Sequence, residues 1–142
     1  MTYPARKVLI VEDDVIMAMF LEEVCKLAGV DHVGTAGNVE VALELAMKHQ
    51  PECVILDYRL DGDRTGLDLI AALRKQQADV FTVLITAWDI NAIAGLIQRQ
   101  RPDCVLRKPV AMRTLLEVIN SIPGRGSVPG APAAAPGPAS PR

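Results

Sequence analysis

A chain of 142 residues, half of them hydrophobic but only 4% aromatic, has the length for one domain built around a core of Val, Ile, Leu and Ala. Its 15 Lys and Arg against 17 Asp and Glu give a formal net charge of -2, and the stretch from Pro123 carries Arg125 and Arg142 but no acid, so the first 122 residues stand near -4. That balance offers no basic stripe for nucleic acid, and no apolar run reaches the roughly 18 residues of a membrane span, so neither DNA nor membrane is an expected partner. The cysteines, Cys25, Cys53 and Cys104, have no C-x-x-C spacing and lie in apolar segments. They read as buried thiols of a reducing compartment, and with no charged-then-apolar leader the expected location is the cytoplasm.

In chain order, short apolar runs alternate with segments of helical period. Val8 to Val11 form the first strand and run into three consecutive carboxylates, Glu12, Asp13 and Asp14. The next segment keeps i, i+3, i+4 spacing through Met17, Phe20, Leu21, Val24, Leu27 and Ala28, with Asp14 placed to cap it and Gly29 to end it. A strand around Val33 follows, then a helix capped by Asn38 with Val39, Ala42, Leu43 and Ala46 inward. Val54 to Leu56 predict the third strand, and Leu67, Ile70, Ala71 and Leu73 a helix starting near Gly66. Val83 to Ile85 give the fourth strand, followed by a helix using Ile90, Ile93, Ala94 and Ile97. Val105 and Leu106 give the fifth strand, and Met112, Leu115, Leu116 and Ile119 the last helix. Five such βα units with continuously apolar inner strands predict an α/β fold, a doubly wound parallel sheet covered on both faces. Residues 123–142, rich in Pro, Ala and Gly, read as a disordered tail or linker outside a domain of residues 1–122.

Polar residues fall just past the strand ends: Glu12 and Asp13 after the first, Asp57 at the end of "CVILD", Thr86 at the end of "VLIT", and Lys108 after "CVLR". In open α/β sheets that edge is where ligands bind. Three carboxylates, a hydroxyl and an ammonium brought together there suit Mg²⁺ and a phosphoryl group, with lysine as a point charge for phosphate. A carboxylate can itself attack phosphorus, and Asp57 is the candidate nucleophile. Asp14, Asp61 and Asp63 read as solvated turn residues, and His32 and His49 as surface or edge residues without partners at metal-ligand spacing. Trp88 reads either as packing on the fourth helix or as an exposed anchor.

The motifs "VLIVEDD", "VILDYRL", "VLITA" and "LRKP", one per strand and in this order, resemble the receiver domain of bacterial two-component response regulators over about residues 6 to 122. The resemblance implies a flavodoxin-like receiver fold with strand order 2-1-3-4-5 and five helices. It implies that Asp57 accepts a phosphoryl group, that Asp13 binds Mg²⁺ directly with Glu12 acting through water, that the Arg59 carbonyl is a further metal ligand, and that Thr86 and Lys108 complete the site. It also implies a cis Lys108-Pro109 bond. The expected partners are a histidine kinase or phosphotransfer protein and a downstream protein target. The expected role is a phosphorelay signalling domain, not a conventional enzyme. The chain departs from the pattern at Val105, where receivers usually carry Tyr or Phe, and in the loop "YRLDGDRTGLD", one residue longer than usual, with Gly62 and Gly66 as turn residues.

Other readings fare less well. An aspartyl-nucleophile phosphatase of the haloacid dehalogenase type would want an Asp where Arg59 stands. A nucleotide or flavin binder would want a glycine-rich phosphate loop, and no strand is followed by one. A receiver fragment of a larger regulator or hybrid kinase shares every motif and stays open.

Overall fold

The computed structural model describes residues 6–123. Five strands, β1 (Lys7–Val11), β2 (Asp31–Ala36), β3 (Cys53–Asp57), β4 (Phe81–Thr86) and β5 (Cys104–Arg107), form one parallel sheet in the order β2-β1-β3-β4-β5. The helices between and after them are α1 (Val15–Ala28), α2 (Val39–His49), α3 (Gly66–Gln76), α4 (Ala94–Gln100) and α5 (Met112–Asn120). The order runs outward from β1 in both directions, so the topological switch falls between β1 and β3.

The alternation of side chains along each strand sorts the core into two layers. Leu9, Val11, Val54, Leu56 and Leu84 pack with Val39, Ala42, Ala46, Leu67, Ile70 and Leu73 of α2 and α3. Val8, Ile10, Ile55, Val83 and Ile85 pack with Leu21, Val24 and Cys25 of α1 and Leu115 and Ile119 of α5. β3 is buried along its whole length, as a central strand covered on both faces must be.

Local chemistry fixes where the helices start. Asp14 accepts from the Ile16 and Met17 amides at 2.9 and 3.1 Å, and Asn38 from Val41 at 2.9 Å. Thr65 and Asp68 close a reciprocal capping box on α3, with the Thr65 amide donating to Asp68 at 2.8 Å. Each such cap contributes about 1 kcal/mol. The sequence signal of the box is Thr-x-x-Asp, which the expectation of a helix starting near Gly66 did not use.

Two expectations need correction. Leu27 is 57% exposed: helical periodicity carries it away from the inward line of Ala18, Leu21 and Cys25, onto the outer face with Ile16 and Met19. The segment from Ile90 to Ile97 is not one helix. Ile90–Ile93 form a 3₁₀ turn capped by Asp89, α4 begins only at Ala94, and Ala94 is exposed. Gly95, a weak helix former, lies in a helix of only seven residues that buries no side chain of its own.

Cys25 and Cys53 are buried and Cys104 half-buried, and none of the three is in a disulfide. Burial pushes the Cys25 thiol up to about 11 and Cys53 well above its ordinary value, so both are inert as nucleophiles. Among the described residues no helix is long and apolar enough to cross a membrane. Of the tail read as 123–142, residues 124–142 lie outside the described part.

An acidic site at the carboxyl edge of the sheet

Because β1, β3, β4 and β5 are parallel neighbours, their carboxyl ends place Glu12, Asp13, Asp57, Thr86 and Lys108 along one edge. One carboxylate oxygen from each of Glu12, Asp13 and Asp57 can be chosen so that all lie within 4.8 Å of one another. The Lys108 ammonium stands 3.3 Å from Asp57 Oδ1 and 3.7 Å from Glu12 Oε1. Its backbone is tied to β4, with the Lys108 amide donating to the Thr86 carbonyl at 2.9 Å, and the Lys108-Pro109 bond is cis as the motif implied.

Burial sets the electrostatics. Glu12 is 4% and Asp57 6% exposed, whereas Asp13 faces solvent. Desolvation raises the Glu12 carboxyl to about 7, and the negative charges of Asp57 and Asp13 push the same way. The Asp14 amide, which donates to Glu12 Oε2 at 3.1 Å, and the Lys108 charge oppose that rise. Asp57 is also held above the ordinary carboxylate range, chiefly by desolvation, against the pull of Lys108. With all three carboxylates ionised, the single ammonium would leave the cluster two negative charges in excess, and burial together with that repulsion is why Glu12 and Asp57 hold their protons more tightly than free carboxyls. Hard oxygen donors with that excess, two buried and one open to water, fit a divalent cation that keeps part of its hydration shell.

The loop after Asp57 is shaped by its glycines. A Cβ on Gly66 would meet the Asp57 carbonyl oxygen at 2.3 Å, so no larger residue fits where the start of α3 touches the end of β3. Gly62 adopts a φ of 101°, a left-handed region that side chains disfavour. Asp61 and Asp63 are exposed, as read from the sequence.

Thr86 is fully buried, and its hydroxyl accepts from the Trp88 amide at 2.9 Å. Trp88, read as packing on the fourth helix or as an exposed anchor, is 43% exposed, and its ring meets Tyr58 and Arg59 of the β3–α3 loop. Val105 packs half-buried against the α2–α3 layer. His32 is an edge-strand residue bonded to Thr35, which in turn donates to Glu22. Sequence reasoning missed Tyr58, and it missed a network centred on Arg74. That guanidinium donates to the Gln100 and Arg101 carbonyls at 3.2 and 3.1 Å and to Thr82 and Asp103 at 3.1 and 3.0 Å, fastening the end of α4 to α3 and β4. No local pattern announces a contact among residues so far apart in the chain.

An acid cluster with an opposed lysine, at the carboxyl edge of a sheet ordered 2-1-3-4-5, defines a receiver-type protein. The family model described as "Response regulator receiver domain" matches residues 8–120, and the chain belongs to that family. It is 31% identical over 114 residues to the transcriptional regulatory protein PdtaR of Mycobacterium tuberculosis, covering 80% of this chain and 55% of that protein. It is 31% identical over 115 residues to the probable C4-dicarboxylate response regulator DctR of Bacillus subtilis, covering 78% of this chain and 50% of that one. The chain thus spans about half the length of these curated relatives. Among solved structures, the PhyR response regulator REC domain of Erythrobacter litoralis is similar with a TM-score of 0.74 and 30% identity, covering 82% of this chain and 88% of that one.

Proposed function

We propose that this receiver domain takes a phosphoryl group from the phosphohistidine of a histidine kinase or phosphotransfer protein onto Asp57, and signals by a change in the loops around that group. The observation that carries the reading is the pairing of a buried, raised Asp57 with Lys108 at 3.3 Å inside an acid cluster of excess charge. Asp13, Asp57 and the Arg59 carbonyl would hold Mg²⁺, with Glu12 acting through water. When bound, the ion supplies positive charge to the phosphoryl oxygens.

An Asp57 oxygen attacks phosphorus in line, a P–O bond forms as the P–N bond breaks, and the electron pair returns to the donor imidazole. Lys108 neutralises a phosphoryl oxygen, and the Thr86 hydroxyl donates a hydrogen bond to another. Val15, Ile16 and Met19 are 71%, 76% and 60% exposed at the start of α1, directly after the acid cluster. Apolar surface at that place supports docking of a protein donor. Residues 1–122 would form the working unit in this reading, which the burial of Ile122 and the bond from Arg6 to its carbonyl support.

Acetyl phosphate with Mg²⁺ tests the assignment. Intact-mass spectrometry is expected to show one added phosphoryl group on the wild type and none on Asp57→Asn. Undiminished phosphorylation of that variant would refute it.

A further inference from the structure

The chemistry just described uses the Arg59 backbone and the Thr86 hydroxyl, yet the side chains beside them also meet. The Arg59 guanidinium carbon lies 5.3 Å from the centroid of the Trp88 ring. Tyr58 approaches the same indole edge-on, with centroids 6.4 Å apart and planes inclined by 70°. Tyr58 and Arg59 follow the acceptor at the end of β3, and Trp88 belongs to the loop after β4. Hydrogen bonds also pin each loop at its base. The Tyr58 amide donates to the Ile85 carbonyl at 2.9 Å and the Gly66 amide to the Tyr58 carbonyl at 2.8 Å. On the other side the Trp88 amide donates to the Thr86 hydroxyl at 2.9 Å. Trp88 is therefore bonded to the residue that would meet the phosphoryl group and stacked on the residue whose carbonyl would meet the metal.

We propose that Trp88 is a positioning residue that clasps the β3–α3 loop to the β4–α4 loop through Arg59, so that cation binding at the acid cluster and the placement of the Thr86 loop influence each other. The inference rests on the metal reading of the preceding section. A guanidinium over an indole face is held by the ring quadrupole and loses little hydration on stacking. Core packing does not impose the contact, because Arg59 is exposed and Trp88 is 43% exposed. Substitutions at either residue therefore leave the buried layers intact. Coupling between sites is reciprocal, so a contact that makes the metal change the Trp88 environment must also make Trp88 change the metal affinity.

The test titrates Mg²⁺ alone into the full chain and reads both calorimetric affinity and Trp88 emission. The variants are Arg59→Met, Arg59→Lys, Trp88→Leu and the double Arg59→Met/Trp88→Leu. Wild type is expected to change its emission on binding. Arg59→Met keeps the backbone ligand and is expected to bind about two- to five-fold more weakly, the range an exposed cation–π contact supports, and to lose most of the emission change. Arg59→Lys restores part of both, and the double variant binds no more weakly than either single one. Single variants that bind like wild type, or losses that simply add in the double variant, would overturn the clasp while leaving the metal site standing. Wild type that binds no Mg²⁺, or binds it as well after Asp13→Ala, would instead bring down the metal reading and the clasp with it.

Discussion

The two flanks of the site are built differently. On one side α1 runs 14 residues and buries Ala18, Leu21, Val24 and Cys25 against the sheet. On the other, the chain from Thr86 to Arg101 makes a 3₁₀ turn and a helix of seven residues with no buried side chain. Ile93 of the turn is buried and Ile97 packs at the margin of the core. What else holds this flank is placed at its ends: Trp88 against Arg59 at one, and Arg74 on the Gln100 and Arg101 carbonyls at the other. Few buried contacts mean a low cost of local rearrangement. The acid cluster thus stands beside a rigid wall and faces a segment whose position is set by a few polar and aromatic contacts.

The largest expected effect separates the flanks by stability. Leu21 is 1% exposed in α1, so Leu21→Ala is expected to cost about 2–5 kcal/mol, on the order of 10 °C in Tm. Leu96 is 41% exposed in α4, and Leu96→Ala is expected to stay within about 0.5 kcal/mol. Thermal or urea unfolding checks both. Equal losses would show that α4 is anchored as firmly as α1 and would remove the contrast.

Most of the rigid flank, and the polar residues of the site itself, were legible in the sequence, because their signals are local. Asp14 and Asn38 announce caps, the apolar runs announce buried strands, and Glu12, Asp13, Asp57, Thr86 and Lys108 each follow or end such a run. The parallel order then brings them to one edge. The other flank was misread because its organisation is not local. Ile90, Ile93, Ala94 and Ile97 have helical spacing, but a short stretch containing Gly95 cannot sustain one helix without a buried face. Arg74 reaches carbonyls 26 and 27 residues away, and Trp88 meets a loop from another strand, so neither contact leaves a periodic trace.

A smaller effect comes from the charge stored in the rigid flank. The Glu12 carboxyl is raised from 4.5 to about 7, so the folded state holds its proton more tightly than the unfolded chain. The stability linked to that proton is fully present below about pH 4.5 and is lost as pH rises through about 7. Asp57 is raised in the same direction. In chelator, Tm is therefore expected to decline between about pH 5 and 7 by a few degrees more in wild type than in Glu12→Gln. Mg²⁺ at pH 7 is expected to restore the loss in wild type by binding only the native state, and to do so much less in Asp13→Ala. Parallel pH profiles for wild type and Glu12→Gln would mean that Glu12 carries no such penalty.

The smallest effect is spectroscopic and concerns how a signal leaves the site on the loosely held side. A phosphoryl group shifts a conformational equilibrium only through contacts that differ between the two states. Thr86 can supply that difference, because its hydroxyl holds the Trp88 amide at 2.9 Å and would turn toward a phosphoryl oxygen when one is present. A receiver with Tyr or Phe in place of Val105 could register that motion by swinging a ring into the vacated space. Val105 is too short to swing between inside and outside, and it packs half-buried against the core. The displacement should therefore be taken up by Ala87, Trp88 and Asp89 and by the 3₁₀ turn, where few buried side chains resist it. Trp88 is the sole tryptophan of the chain, so its emission reads this loop alone. Phosphorylation, or a beryllofluoride mimic, is expected to change that emission. Thr86→Ala is expected to accept the phosphoryl group still but to give a much smaller change, since the link between the group and the Trp88 amide is cut. Full phosphorylation with an unaltered Trp88 spectrum would place the switch elsewhere, with the long loop after Asp57 as the next segment to probe.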